Sequence, residues 1–484
     1  MRIAIVGSGF GGVGMAAQLL GHGYDDITLF ERSGEIGGVW AANTYPGAAC
    51  DVPAQLYSLS FAPNPHWSGN FPSQPEIRAY LEHVAERFGV RDRVRFHTTV
   101  RAAVWHIDHW SLTLEPGGEE DFDVLLMAAG QLSSPSLPTI PGTGDFAGVA
   151  FHSAWWDHAA DLDGQRIGVI GTGASAIQFI PHLARRAAHL TVFQRSAPYV
   201  MAKREVSFDR GSVRDAFGRV PVLQRLSRGL TYLAYESRAV GFTSKPRLLG
   251  VIARANAKLL AEQVPDPVRR EQLRPSDLPG CKRVLLSNDY YPAVAGEDCT
   301  VVTHEIERIT GAGIRTVDEV DHDLDVIVYG TGFAANDFLA GIRVVGVDGD
   351  EIHDRWTAAE GAESSPGGTV AGFPNLVLLY GPNTNLAHNS ILYMLESQFA
   401  HVLSLLQAMA DRSATVVAPR PDRQYAWNAW VGERMTRTAF VAGCHSWYVN
   451  AQGKHTNNWP SSTPAYRRRV RDVNPADYEF STPG

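Results

Sequence analysis

The chain has 484 residues, 44% of them apolar and 19% charged, with a formal net charge of −8. That length predicts two or three domains of an ordinary globular enzyme. The acidic balance argues against a nucleic-acid partner, which calls for a basic face, and no apolar run reaches the ~18 residues of a membrane helix.

Met1 leads almost directly into Ile3-Ala4-Ile5-Val6 with no charged leader, so the expectation is a cytoplasmic protein without membrane contact. This run reads as a buried parallel strand. It breaks into Gly7-Ser8-Gly9-Phe10-Gly11-Gly12 and then the helix-like VGMAAQLLGHG. Strand, G-x-G-x-x-G and helix follow in the order a pyrophosphate site needs. Gly7 permits the tight turn, Gly9 lets the backbone approach phosphate, and Gly12 lets helix and strand pack closely. The next strand, DITLFE, ends in Glu31, a carboxylate placed to accept hydrogen bonds from ribose hydroxyls. Further on, His106 and His109 in WHIDHW read as a polar strand or turn pair, because no other metal-ligand types cluster nearby. The four cysteines, Cys50, Cys281, Cys299 and Cys444, are scattered without a CxxC pair. They are expected to be reduced packing residues, with no zinc site.

Residues 166–176 repeat the first design as RIGVIGTGASA. Gly171 and Gly173 hold the glycine positions, Thr172, Ala174 and Ser175 complete the turn, and Ala176 is the third small residue. The following strand repeats as well: ITLFERS (27–33) becomes LTVFQRS (190–196). Glu31 therefore corresponds to Gln194, beside Arg195 and Ser196. Losing the acid removes repulsion toward a ribose 2′-phosphate, and Arg195 supplies charge-assisted bonds to one. The first site suits an adenine dinucleotide with free ribose hydroxyls and the second suits NADP. FAD at the N-terminus with NADPH in an inserted module describes a hydride-accepting flavoprotein.

The expected class is α/β, with two Rossmann-like dinucleotide-binding domains. FDVLLMAAGQLSSPSLPTIPG (122–142) reads as a strand and a crossing out of the first domain, and LDVIVYGTGF (324–333) as the return. Residues 1–140 and 335–484 then form a discontinuous FAD domain with the substrate pocket and a C-terminal loop. Residues 141–334 form the NADP domain. Within it, about 203–280 has helical periodicity and reads as an excursion covering that domain.

Two further stretches carry a family resemblance. FAGVAFHSAWWD fits the F-x-G-x-x-x-H-x-x-x-W-(P/D) signature of Baeyer–Villiger monooxygenases at Phe146, Gly148, His152, Trp156 and Asp157. GGVWAANTYPGAACD fits that family's second signature at Gly38, Trp40, Tyr45, Pro46, Gly47 and Asp51. GCKRVLLSNDYY (280–291) and PNLVLLYGPNTNLAHNS (374–390) are similar to segments of the branch that acts on cyclic and aryl ketones. The resemblance covers nearly the whole chain. It implies FAD reduced by NADPH, O₂ added to the flavin as a C4a-peroxide, and attack on a ketone to give an ester or lactone.

The resemblance also implies residue roles. Arg283 matches the active-site arginine that steadies the peroxide and its adduct, and an arginine keeps its charge in an apolar pocket. Asp51 matches the carboxylate that pairs with it, and Lys282 a ligand of the NADP 2′-phosphate. His152 and Trp156 take a conformational role in the link between domains, with His152 not a direct acid or base. Gly38, Val39, Trp40 and Tyr57 line the flavin, Val100 sits near its adenine, and Trp447 belongs to a mobile C-terminal loop over NADP and substrate. The chain departs from the family at Ala49, where an arginine is usual, in MAAG (127–130), and around Trp447, which reads HSWYVNAQGK. The alternative is a heteroatom-oxidising flavin monooxygenase, which needs a neutral hydroperoxide and makes less use of Arg283. A disulfide reductase lacks its redox cysteine pair, and a nucleotide sensor would need neither Asp51 nor Arg283. Partners are then a small-molecule ketone and O₂, with the oligomeric state open.

Overall fold

Each glycine turn sits at the end of a buried strand, Ile3–Val6 in the first copy and Arg166–Ile170 in the second. The computed structural model describes residues 1–208, 212–441, 443 and 446–482, the side chains of 212–215 excepted. Alternation decides where each strand side chain goes. Ile3 and Ile5 enter one core with Leu29, Leu126 and Phe399, while Ala4 and Val6 enter another with Leu125, Trp110 and Phe373. In the second copy Ile167 and Val169 point to one core and Ile170 to the other. Both faces are covered, as a parallel sheet requires.

The two sheets share an order. In the first, Val94–Arg95, Ile27–Phe30, Ile3–Val6, Val124–Met127 and Phe373–Leu378 lie side by side and parallel, with Thr369–Val370 added antiparallel at the edge. In the second, Cys299–Val302, His189–Phe193, Arg166–Ile170, Val326–Tyr329 and Val149–His152 lie side by side and parallel. The glycine-turn strand is third in both. The duplication therefore extends from the motif to the strand order. The two crossing segments run together: Ser136 N–H donates to Gly332 O (2.9 Å) and Ala334 N–H to Ser134 O (2.9 Å).

The turn glycines are held by the same geometry twice. Gly7 and Gly171 both have φ of +105°, a region that excludes most side chains. A Cβ on Gly7 would lie 2.6 Å from Ala128 O, and one on Gly171 would lie 2.5 Å from Gly330 O. Both carbonyls belong to the residue just after the neighbouring strand.

Two expectations are corrected. The helical excursion does not cover the second sheet alone. Helix Gly250–Gln263 gives Leu260 to the second module's core, but helix Pro221–Glu236 lies on the first. There Arg228 donates to Gln55 O (2.7 Å) and Ser58 O (2.8 Å), and Tyr232 stacks on Tyr393. Glu236 accepts from Asn389 Nδ2 (2.7 Å), Thr463 N (2.9 Å) and Thr463 Oγ1 (2.7 Å). Periodicity marks a helix but not the sheet it rests on. Cysteine usage is the second correction: Cys281 is disulfide-bonded, whereas Cys50 and Cys299 are free and buried, and Cys444 lies outside the described residues. Scattered cysteines without a CxxC pair give no signal of such a bond. His106 and His109 stack within the turn between strands Thr99–Trp105 and Trp110–Glu115. No helix among the described residues is long and apolar enough to cross a membrane.

Gly12 provides the first test. Its Cβ would lie 1.9 Å from Gly7 O, a backbone atom that cannot swing away. Gly12→Ala is expected to yield protein that melts well below wild type or does not fold. Gly21, in the same helix with open space around it, should accept Ala with no loss, or with a gain of ~0.5–1 kcal/mol. Equal melting temperatures for the two variants would refute the close approach of helix to turn.

Candidate active site

The first turn offers donors and an aromatic wall. Helix Phe10–Gly21 begins at Gly9 with no side-chain cap and no acid in its first turn, so its leading N–H groups are open to an anion. Glu31 is buried at the strand end and is aimed by four hydrogen bonds, from Ser8 N (3.0 Å), Ser8 Oγ (2.7 Å), Ser33 N (2.9 Å) and Ser33 Oγ (2.9 Å). Gly38, at φ +56°, abuts Gly9, where a Cβ would come within 3.0 Å of its Cα. Val39 and Trp40 open the short helix Val39–Ala42 that follows. Trp40 Nε1 donates to Tyr57 Oη (3.0 Å), and Phe10 meets the Tyr57 ring edge-on at 5.1 Å. Val100 is buried in one core with Val6 and Phe30. Open helix donors, a ribose-height carboxylate and an aromatic wall fit an FAD.

Asp51 and Arg283, 232 residues apart in sequence, meet in a two-point ion pair. Arg283 Nε donates to Asp51 Oδ2 (2.8 Å) and Nη2 to Oδ1 (2.6 Å). The side chains keep 23% and 31% of their accessibility, the mark of groups facing a cleft. Burial pushes the Asp51 carboxyl up, but the Arg283 charge and its bonds outweigh it and hold the carboxyl below its ordinary value. Asp51 in turn raises the Arg283 guanidinium. Around the pair lie Tyr380 and Tyr448, two residues the sequence reading passed over. Tyr448 follows Trp447 directly, which was the only available signal. Trp447 itself is docked, its carbonyl accepting from Asn336 Nδ2 (3.1 Å) and Asn457 Nδ2 (2.9 Å).

The second turn repeats the open helix start, at Ser175 before Ala176–Ala184, again with no side-chain cap. Gly173 and Ala174 are exposed beside it. Thr172 Oγ1 donates to Ser196 O (3.2 Å), which ties the turn to the end of the next strand. Lys282 Nζ donates to Ser196 Oγ (2.8 Å), and Arg195 nearby in sequence is exposed. These groups fit a phosphorylated ribose, with one correction. Lys282 is also paired with Asp277 Oδ2 at 2.5 Å, so the cluster is not free of carboxylates. Gln194, at the place of Glu31, is buried and donates to Gln272 O (2.7 Å).

The two signatures meet on the helix Ala176–Ala184. Tyr45 packs at 6.5 Å from Trp156, and both pack on Phe179, at 5.8 and 5.3 Å. Tyr45 Oη donates to Gln178 Oε1 (3.0 Å), while Gln178 Nε2 donates to Ala49 O (2.9 Å). A Cβ on Gly47 would lie 2.8 Å from Gln178 O, and one on Gly148 would lie 2.4 Å from Asp325 O. His152, 1% exposed, ends the strand Val149–His152. Its Nδ1 accepts from Ala154 N–H (3.1 Å), which assigns the ring proton to Nε2, on the side of the Gly332 backbone. Burial holds its pKa below the usual histidine value, with Gly332 offsetting only part. Its Nε2 bonds no described residue, and its ring meets Phe333 of the crossing segment edge-on at 5.8 Å.

A family model described as flavin-binding monooxygenase-like matches residues 1–217. A Baeyer–Villiger monooxygenase of Streptomyces coelicolor is 42% identical over all of this chain and 93% of its own length. The chain belongs to the Baeyer–Villiger monooxygenases. A Baeyer–Villiger monooxygenase of Pseudomonas aeruginosa is 38% identical over 99% of the chain and 92% of its own. Among solved structures, OTEMO in complex with FAD and NADP superposes with a TM-score of 0.89 at 28% identity, covering 99% of each chain. Steroid monooxygenase bound to NADP superposes with 0.88 at 29%, covering 100% of this chain and 99% of its own.

In this Baeyer–Villiger monooxygenase Asp51→Asn should remove the charge partner of Arg283 and cost about 2–3 kcal/mol at pH 7, read as a lower urea midpoint. The contribution of a depressed carboxyl is complete above ~pH 4, its unfolded value, and is lost as pH falls through the folded value. The wild-type advantage must therefore shrink below pH 4. A constant gap from pH 7 to pH 3 would contradict the pairing.

Proposed function

We propose that Arg283, held by Asp51, is the fixed cation at the oxygen-transfer site, and that the two glycine turns bring FAD and NADPH to it. The enzyme is an FAD- and NADPH-dependent Baeyer–Villiger monooxygenase that inserts one oxygen atom from O₂ next to a ketone carbonyl, giving an ester or lactone. Bound FAD supplies the electron transfer from NADPH and the activation of O₂. The carrying observation is the two-point pair between Asp51 and Arg283, which joins segments from both modules.

The chain's own residues bind, orient and hold charge. We assign residues 1–140 and 335–484 to the flavin domain and 141–334 to the NADP domain. Gly7, Gly9, Phe10 and Gly12 with Glu31 hold the flavin's adenine half, which Val100 adjoins. Gly38, Val39, Trp40, Asp51 and Tyr57 wall its ring. Gly171, Thr172, Gly173, Ala174 and Ser175 receive the NADP pyrophosphate, and Arg195, Ser196 and Lys282 its 2′-phosphate. His152 links domains rather than moving a proton, and Trp447 closes over the nicotinamide side. Attack on a ketone builds negative charge on oxygen, and a preorganised guanidinium stabilises that charge without reorganising at the moment of reaction.

Arg195→Ala should narrow the preference for NADPH over NADH by ~tenfold or more, since a charge-assisted bond is worth roughly 1.5–3 kcal/mol. Lys282, already paired with Asp277, should contribute less than Arg195. Steady-state kcat/KM with both nucleotides reads this directly, and an unchanged ratio would take Arg195 out of the phosphate site.

The decisive experiment supplies NADPH, O₂ and a panel of cyclic and aryl ketones, and looks by mass spectrometry for a product heavier by one oxygen. Arg283→Ala should retain FAD and its reduction by NADPH but lose ester formation by ~10²–10³, releasing hydrogen peroxide instead. Arg283→Lys should restore little, because a point charge on a flexible stem does not reproduce the planar fork. Ester formed by Arg283→Ala near the wild-type rate would exclude the assignment. Wild-type oxidation of sulfides but never ketones would favour heteroatom oxidation.

A further inference from the structure

Tyr448 carries a polar atom that none of the described residues satisfies. The side chain is fully buried, yet Oη has no hydrogen-bond partner among the described residues. A buried hydroxyl without a partner is costly and calls for an explanation. The ring is rigidly placed, packed at 4.6 Å on Trp447 and 5.7 Å on Phe440. Phe440 shares a core with Phe242, Leu249 and Ala439, the three residues that a Cβ on Gly280 would strike. The segment leading to Arg283 and the Tyr448 ring therefore rest on one apolar floor. Oη lies near enough to Arg283 and Asp51 to feel both charges.

A chain of amides fixes which way the Tyr448 hydroxyl can act. Tyr380 Oη donates to Asn385 Oδ1 (2.8 Å), and Asn385 Nδ2 donates to Asn458 Oδ1 (2.7 Å). With its Oδ1 so occupied, Asn458 has Nδ2 left on the side of Tyr448, and that Nδ2 also bonds no described residue. The phenol faces a donor, so its own hydrogen is left for another acceptor. On the other side, Asp51 occupies Nε and Nη2 of Arg283, and Nη1 bonds no described residue.

We propose that Tyr448 Oη–H and the Nη1 edge of Arg283 together grip the ketone oxygen, as two donors on its two lone pairs. Tyr448 is then a catalytic residue of the oxygenation, tightening as charge develops on that oxygen. It acts as donor and never as base: burial pushes the phenol up to about 12, and the Arg283 charge offsets only part of that. Ketones whose carbonyl can reach both groups are selected over those hindered on one side. The inference rests on the Baeyer–Villiger reading of the site.

The test uses FAD-loaded Tyr448→Phe, which keeps the packed ring and removes only the hydroxyl, with the panel ketone that wild type converts fastest. Flavin reduction by NADPH should stay within about twofold of wild type. Ester formation should fall by ~10²-fold, with hydrogen peroxide made instead. Titration of the oxidised enzyme with that ketone, read in the flavin spectrum, should show a Kd weaker by about 3–10-fold. Asn458→Asp is the second arm, because it leaves Tyr448 untouched. A carboxylate still accepts from Asn385 and offers an acceptor to Oη, drawing the hydrogen away from the ketone, so the same loss of coupling is expected. Wild-type ester yield and ketone affinity in Tyr448→Phe would overturn the proposal, as would full coupling in Asn458→Asp. A wild type that oxygenates no ketone would remove the parent reading, and this proposal with it.

Discussion

The pairing of Asp51 with Arg283 is the constraint on which the site depends. A partly buried ion pair gains little net stability, since desolvation offsets much of the attraction. Stability is thus a poor reason for it, and geometry is a better one. Asp51 follows the signature segment that docks on Gln178, and Arg283 follows Lys282, which is anchored to Ser196 at the second turn. Holding both charges in register requires the two modules to hold one relative position.

That assembly explains the two family signatures. Tyr45, Gly47 and Trp156 pack module against module. Tyr45, Trp156 and Phe179 form a packed wedge, and Gly47 and Gly148 are small because a backbone carbonyl sits where a Cβ would go. Buried, neutral His152 belongs to the same frame: a charge there would have to be desolvated, and its Nδ1 is already occupied by Ala154. The signatures meet where two similar modules pack: one lies in the first module and the other opens the inserted one, on its strand Val149–His152.

How far sequence reasoning reached follows from the range of each interaction. The glycine turns, the strands before them and the swap of Glu31 for Gln194 were legible because all of it is written within about thirty residues. Asp51 and Arg283 were reachable only through the family resemblance, since no local pattern joins positions 232 residues apart. Asp277 on Lys282, the disulfide at Cys281 and the split allegiance of the helical excursion had no such guide. Asp277 lies only five residues before Lys282, but no helical or strand period brings the two together, and the other features depend on packing that local context does not record. Tyr448 was hidden for another reason: its significance is a missing partner, and only three-dimensional packing reveals that.

The electrostatics of the site turn on which edge of the guanidinium is occupied. An arginine free to rotate would present an averaged charge, and an arginine masked end-on by a carboxylate would present little. Asp51 takes Nε and Nη2 instead, so the pair behaves as a dipole with a fixed positive edge at Nη1. The Arg283 side chain keeps 31% of its accessibility, while Tyr448, fully buried, and Tyr380, partly buried, lower the local dielectric and strengthen the field. A neutral reactive oxygen would gain little from such an arrangement. An oxygen acquiring full negative charge gains most when the donor is already aimed at it, and ketone attack is the oxygen transfer in which that charge develops.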